Sequence, residues 1–495
     1  MTTAPALGPA ACAPLGTTGL RVSRLGFGGY RVDDETPEHR AALERALLGG
    51  LTLIDTSTNY TDGGSERLIG TVLDELAGGG RLRREDVVVV SKIGYVQGPN
   101  LALAREREAA GRPFPDMVKY MDGVWHCLHP EFLADQLPRS LGRLRLAALD
   151  VCLLHNPEYF FSDAKRRHVG PLAALRDEFY RRLTEAFRFF ESQVAAGTLR
   201  WYGASSNTAA AAPDDPEATS LPRMLAAARE AGGAGHHFRV LQLPLNLFES
   251  GGALDATCDP ASTVLECAAR EGIGVLVNRP LNAMVGSGML RLADVRVEAA
   301  AADLDSLLGT VAALEAEYRQ VIAPGIRVSG DSTPPEDFFR WGEQLAAVAG
   351  RIHSLTHWEQ VEGQVSGLVG QVVRGLDRGL GGDLGARWHG WRERYRRALG
   401  TALGEFRRQA ALRSESATRA VAEAIDPALP TERRGESLSR KALWVLASTP
   451  AVSTVLVGMR REAYVDDALG ILRWAPLPEV RPVYEAIRRL RPPRP

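Results

Sequence analysis

LTLIDTSTNY, residues Leu51 to Tyr60, is the stretch whose reading decides the fold. It opens on Leu51-Thr52-Leu53-Ile54, apolar and branched enough to predict a buried strand. The strand ends on a carboxylate, Asp55, and a phenol follows at Tyr60. Asp62-Gly63-Gly64 then predicts a turn, and Ser65 onward a helix running to Leu76. A carboxylate and a phenol just past the carboxyl end of a strand stand where barrel folds keep their chemistry. A capping Asp beside a surface Tyr would read the same way, so this stretch alone leaves both readings open.

Two later strands end in the same manner. Val87-Val88-Val89-Val90-Ser91-Lys92 terminates on a lysine, and Asp150-Val151-Cys152-Leu153-Leu154-His155 on a histidine. Each polar residue stands where a buried strand emerges, so the four predict one shared rim. Further strands are predicted at Arg24–Tyr30, Leu199–Gly203, Val240–Pro244, Ile273–Val277 and Thr454–Gly458, alternating with helices such as Pro37–Leu48, Leu172–Ala195 and Thr263–Glu271. Strands alternating with helices imply a parallel sheet, and polar strand ends on one rim imply a closed (β/α)8 barrel.

With those residues in view, the sequence resembles the aldo-keto reductase superfamily. The resemblance is carried by IDTSTNY, VVVVSKIG, DVCLLHNP, the GASSN of residues 203–207, and Gln242 in LQLPLNL. It covers roughly residues 15–284 and 436–475. It implies an NAD(P)-dependent oxidoreductase whose catalytic tetrad is Asp55, Tyr60, Lys92 and His155. Tyr60 would be the general acid or base, tuned by Lys92 and Asp55, with His155 orienting the carbonyl. Ser206, Asn207 and Gln242 match positions that hold the nicotinamide carboxamide. The segment Gly458-Met459-Arg460-Arg461 matches the loop that holds the adenosine phosphate, and paired arginines favour NADP, with NAD as the alternative. Asn278 and Arg279 stand where many members carry a stacking aromatic and a small polar residue, and Leu281 completes that cofactor segment. Asp466-Asp467 replaces the usual acidic-plus-Asn pair at the adenine, which makes Asp467 a cofactor candidate.

Tyr30, Tyr95, Trp125 and Asn156 are expected to wall the substrate pocket, with His126 beside them. The segment Ile93–Pro130, rich in glycine and proline, is expected to be largely a loop over that rim.

Between residues 285 and 435 the strand signals disappear and apolar residues recur at three-four spacing. A helical insertion of three to five helices is expected between the seventh and eighth strands. Residues 1–14 are expected to be a flexible tail, Leu15–Ser23 a short hairpin, and residues 476–495 an extended Pro-rich tail. The 495 residues are 45% hydrophobic and 24% charged, with a net charge of -1. That excludes an overall basic field for nucleic acid or anionic lipid. No window approaches a membrane span of ~20 apolar residues. The five scattered cysteines lack metal-ligand spacing, so no metal is expected. Their odd number, and a start without a secretory leader, predict reduced thiols and a cytoplasmic protein; the resemblance implies a small-molecule carbonyl or alcohol as substrate. Two other readings fit the same residues: a nucleotide-binding regulatory protein with little turnover, and an NAD-dependent dehydrogenase of sugar lactols.

Overall fold

Eight short runs, most of them rich in branched residues, form parallel strands that close on one another. They are β1 (Leu25–Gly28), β2 (Leu53–Asp55), β3 (Val88–Ile93), β4 (Leu149–His155), β5 (Leu199–Ser205), β6 (Phe238–Pro244), β7 (Gly274–Asn278) and β8 (Val452–Val457). In this computed structural model the described residues are 7 to 490, apart from 260, 286–287, 296, 298–301 and 328–332. Helices follow the strands, as in Pro37–Leu48, Gly64–Gly78 and Leu172–Ala195, giving the (β/α)8 barrel that strand-helix alternation predicts. Pro138 sits inside the helix Pro130–Leu144 without ending it.

The barrel interior follows from a period of two along each strand. Leu53, Val88, Val90, Val151, Leu153, Val240, Leu276 and Leu456 form one buried apolar cluster. The next inward position above them carries Asp55 after Leu53, Lys92 after Val90, His155 after Leu153, Gln242 after Val240 and Asn278 after Leu276. Strand alternation thus places a polar layer on top of an apolar one. Gly203 is required here: a Cβ on it would stand 1.7 Å from the Val240 carbonyl oxygen, where the β5–β6 register shifts.

The other end of the barrel is plugged from the amino terminus. Cys12–Pro14 pairs antiparallel with Arg21–Ser23, and Leu15 and Val22 join the interior cluster. The expected 1–14 tail is therefore corrected for residues 12–14, whose backbone groups find sheet partners; residues 1–6 lie outside the described residues. The expected loop Ile93–Pro130 is also corrected. It holds a helix, Gly98–Ala109, and a three-stranded sheet of Tyr95–Val96, Val124–His126 and Val118–Met121. The glycines and prolines punctuate very short strands there rather than abolishing them.

The chain divides into two compact units, one holding the barrel and one comprising Asn282–Leu438. The second starts with a hairpin, Asn282–Val285 with Gly288–Arg291, where no strand was expected. Four α-helices follow among the described residues: Leu304–Val321, Trp341–Val348, Leu355–Gly379 and Gly382–Ile425. Their apolar stripes, joined by Phe339 from the segment before Trp341, meet in a core of Tyr318, Trp358, Trp388, Trp391 and Tyr395. Buried rings of this size, at roughly 2–3 kcal/mol each, give the unit a core of its own. Glu315 is buried within it and accepts hydrogen bonds from the backbone N–H groups of Trp341 (2.7 Å) and Gly342 (3.1 Å) and from the Tyr395 hydroxyl (2.8 Å).

At the carboxyl end, Arg481–Arg489 is a helix rather than an extended tail. Pro482 occupies its first turn, where a missing N–H costs nothing, and Val483, Tyr484 and Ile487 are buried. Cys258 and Cys267 are joined in a disulfide across the turn preceding the helix Val264–Arg270; the expectation of reduced thiols throughout is corrected for this pair, while Cys12, Cys127 and Cys152 are free. No described helix is long and apolar enough to cross a membrane.

Candidate active site

Asp55, Lys92 and His155 occupy the inward positions at the tops of β2, β3 and β4, and Tyr60 leaves the loop after β2 to join them. Lys92 is wholly buried, and its Nζ donates to Asp55 Oδ2 (2.7 Å), the Thr56 carbonyl (2.8 Å) and the Tyr60 hydroxyl (3.0 Å). The ammonium thus spends all three donors inside the protein. Asp55 Oδ1 accepts from Gln242 Nε2 at 2.7 Å, so the carboxylate is fixed from both sides. The Tyr60 and His155 ring centroids are 5.8 Å apart.

Burial dominates the electrostatics. It raises the Asp55 carboxyl and lowers Lys92, each opposed by the other's charge. Burial, with the Asp55 charge behind it, pushes Tyr60 well above the ordinary phenol value, so its proton stays on at neutral pH. Burial, the Lys92 charge and His126 hold His155 well below the usual imidazole range. His155 is therefore neutral, with one ring N–H.

The walls are aromatic. Tyr30, 63% exposed, packs edge-on against Tyr60 with centroids 5.2 Å apart. Tyr95 packs against His155 at 4.6 Å, and its hydroxyl accepts from Asn156 Nδ2 at 2.8 Å. His126 donates its Nε2–H to the His155 carbonyl oxygen (2.7 Å), and its ring stacks on Tyr159. Trp125, one residue before His126 on a strand, faces Lys119 and Arg105 instead.

The other expected cofactor residues are more dispersed. Ser206 Oγ lies 2.7 Å from Thr219 Oγ1, and the Ser206 N–H donates to the Gln242 carbonyl. Asn207 is exposed, and its backbone N–H donates to Glu158 Oε1 at 2.8 Å. The Gln242 amide is committed, since its Oε1 accepts from Ser205 Oγ (3.0 Å) and Asn278 Nδ2 (3.3 Å). Asn278 Oδ1 is buried without a partner. Arg279 has a positive φ of 53° and pairs with Glu249 at 2.8 Å, and Leu281 is buried beyond it. Gly458, Arg460 and Arg461 are exposed just before the helix Glu462–Ile471, whereas Asp467 faces Arg440 at 3.5 Å.

Two residues without a sequence-derived role complete the picture. Ser57 Oγ lies 2.9 Å from His155 Nδ1. Glu158 is buried, its Oε2 has no partner, and burial raises its carboxyl to about 7. Both lie within three residues of a tetrad member, in loops that read only as rim.

The chain matches the model of the Aldo/keto reductase family over residues 24–303, more than half its length. It is 29% identical over 151 residues to the NADH-specific methylglyoxal reductase of Escherichia coli (strain K12). That match takes in 29% of this chain and spans 40% of the relative's length. Among solved structures it is similar to a glycerol dehydrogenase from Gluconobacter oxydans, with 16% identity, 98% of each chain covered and a TM-score of 0.49. It is also similar to an aldo/keto reductase from Klebsiella pneumoniae in complex with NADP and acetate, with 15% identity, 97% and 95% covered and a TM-score of 0.45. The chain belongs to the aldo/keto reductase family.

Proposed function

We propose that this aldo/keto reductase family member is an NADP-dependent oxidoreductase, able to use NAD as well, that reduces an aldehyde or ketone or oxidises the corresponding alcohol. The observation that carries the reading is the three-way contact of Lys92 Nζ with Asp55, the Thr56 carbonyl and the Tyr60 hydroxyl. Carbonyl reduction needs a proton at oxygen, and a phenol with pKa ~10 gives one up only if its anion is stabilised. Lys92, 3.0 Å from the phenol oxygen, stabilises that anion, and Asp55 keeps the lysine aimed. Neutral His155 orients the substrate oxygen by a hydrogen bond rather than by charge.

Bound NADPH would supply the hydride. Two features fit such a cofactor. Asn278 Oδ1, buried and unpartnered at the barrel mouth, suits a carboxamide N–H. Arg460 and Arg461, exposed at the start of a helix, suit a phosphate. On this reading Ser206 and Asn207 stand beside the carboxamide, while Gln242 serves chiefly to hold Asp55. Tyr30, Tyr95 and Asn156 wall the substrate.

Two measurements test this. NADPH binding, followed by tryptophan fluorescence, should saturate in both the native protein and Tyr60→Phe. Consumption of NADPH with a panel of aldehydes, ketones and sugars should occur only in the native protein. Undiminished turnover in the variant would overturn the assignment of Tyr60, and no binding of NADPH or NADH would overturn the reading as a whole. In an Arg460→Ala, Arg461→Ala variant, NADPH affinity should fall roughly tenfold or more while NADH affinity is unchanged.

A further inference from the structure

Ser57 is fully buried, and three groups surround its hydroxyl: His155 Nδ1 at 2.9 Å, Asn59 Oδ1 at 2.7 Å and the Lys92 carbonyl oxygen at 3.2 Å. Beyond it, Asn59 Nδ2 lies 2.9 Å from Gln97 Oε1. The four side chains therefore form a chain, Gln97–Asn59–Ser57–His155, joining the segment after β3 to the histidine at the top of β4.

A hydroxyl has one proton to donate, and a neutral imidazole has one N–H. The chain consequently runs in one of two directions. Either His155 Nδ1–H donates to Ser57, which passes its own proton to Asn59 Oδ1 or to the Lys92 carbonyl oxygen; or the two amides turn over and the sequence reverses. In the reversed sense Gln97 donates to Asn59, Asn59 to Ser57, and Ser57 to His155 Nδ1. Turning an Asn or Gln amide exchanges O for N without moving other atoms, so both senses keep each of the chain's three contacts a donor–acceptor pair. They differ in what remains at Nε2: a bare lone pair in the first, an N–H in the second.

A substrate carbonyl oxygen only accepts. With Nδ1 covered by Ser57, Nε2 is the ring atom left for a ligand, and it serves a carbonyl only as N–H. We propose that Ser57 is a positioning residue whose hydroxyl donates to His155 Nδ1 and thereby fixes the Nε2–H tautomer that hydrogen-bonds the substrate carbonyl, with Asn59 and Gln97 setting the direction of the chain. This rests on the reading of the site as a carbonyl reductase. His126, bonded to the backbone oxygen of His155, holds the ring's strand end and leaves its nitrogens to Ser57 and the ligand.

The experiment is long-range proton–nitrogen correlation on uniformly 15N-labelled protein at neutral pH, with the His155 signals assigned by their loss in His155→Asn. The expected spectrum has His155 protonated at Nε2 in the native protein and in Ser57→Thr. In Ser57→Ala it should move toward the Nδ1–H form or a mixture. In turnover, Ser57→Ala should lower kcat roughly 10- to 100-fold with NADPH affinity unchanged, and Ser57→Thr should restore most of it. An Nδ1–H tautomer in the native protein, or an unchanged tautomer in a folded Ser57→Ala, would overturn the proposal. Because the native spectrum decides the direction without turnover, a native Nε2–H spectrum in a protein that reduces no carbonyl would sink the functional reading and leave the Ser57 donation intact.

Discussion

The barrel mouth and the helical unit both bury carboxylates, and they partner them in opposite ways. Glu315, among the insertion's aromatic rings, is met by two backbone N–H groups at the start of the helix Trp341–Val348 and by one tyrosine hydroxyl. Those donors are fixed by the fold, so its charge completes a helix end. Asp55 is met instead by Lys92 and Gln242, and Glu158 keeps one oxygen unpartnered. A buried carboxylate bonded to backbone holds a structure in place. One paired with an ammonium, or left with an oxygen unpartnered, can change state when a ligand or a proton arrives, and that is what a reaction centre needs.

The largest test of this contrast is Lys92→Met. It should reduce turnover by about 10³-fold or more, and it leaves Asp55 buried without its cation at a cost of ~3–5 kcal/mol. Adding Asp55→Asn should return most of the stability and none of the activity, as read by chemical denaturation alongside NADPH consumption. If the single variant keeps full stability, the mouth is not electrostatically coupled as described. Next in size, Glu315→Ala strands three donors and should lower unfolding free energy by ~2–4 kcal/mol. A thermal scan with no shift would mean that Glu315 does not hold the helix start.

The smallest effect is expected at Glu158, whose carboxyl rises from the usual carboxylate range to about 7. The native state then keeps a proton that the unfolded chain releases. Stability from this group is fully present below about 4.5, is lost as pH rises through about 7, and stays flat above. Glu158→Gln should erase that slope, worth at most about 3 kcal/mol between the two ends of the window. Identical pH-stability curves for both proteins would remove Glu158 from the titrating groups.

Much of this was legible in the sequence because strand periodicity carries chemistry with it. Asp55, Lys92 and His155 each follow a run of branched residues, so the same pattern that predicts a strand predicts where its last side chain emerges. The helices of the insertion were legible from apolar spacing. Ser57 was not, since a small polar residue between Thr56 and Thr58 reads as loop, and its partner is set by where β4 ends. Glu158 was hidden because burial of a loop carboxylate is a tertiary property. The strands near Tyr95, Val118 and Val124 are too short to display a period, and their flanking glycines and prolines outweighed them. The terminal helix was masked by Pro482, which a first helical turn tolerates.

The eighth strand carries one more implication. Val455 pairs with Leu25 on one side and Val277 on the other, although the whole helical unit is translated between Val277 and Val455. Closing so long a loop adds little to the equilibrium cost, because that cost grows only logarithmically with length. Its effect falls on the order of events. Until the ribosome has released Val457, the nascent barrel is an open sheet whose first and seventh strands both expose unpaired backbone edges, the feature that invites strand addition from other chains. The helical unit can bury its aromatic core during that interval, so the strand that shuts the sheet is made only after that unit.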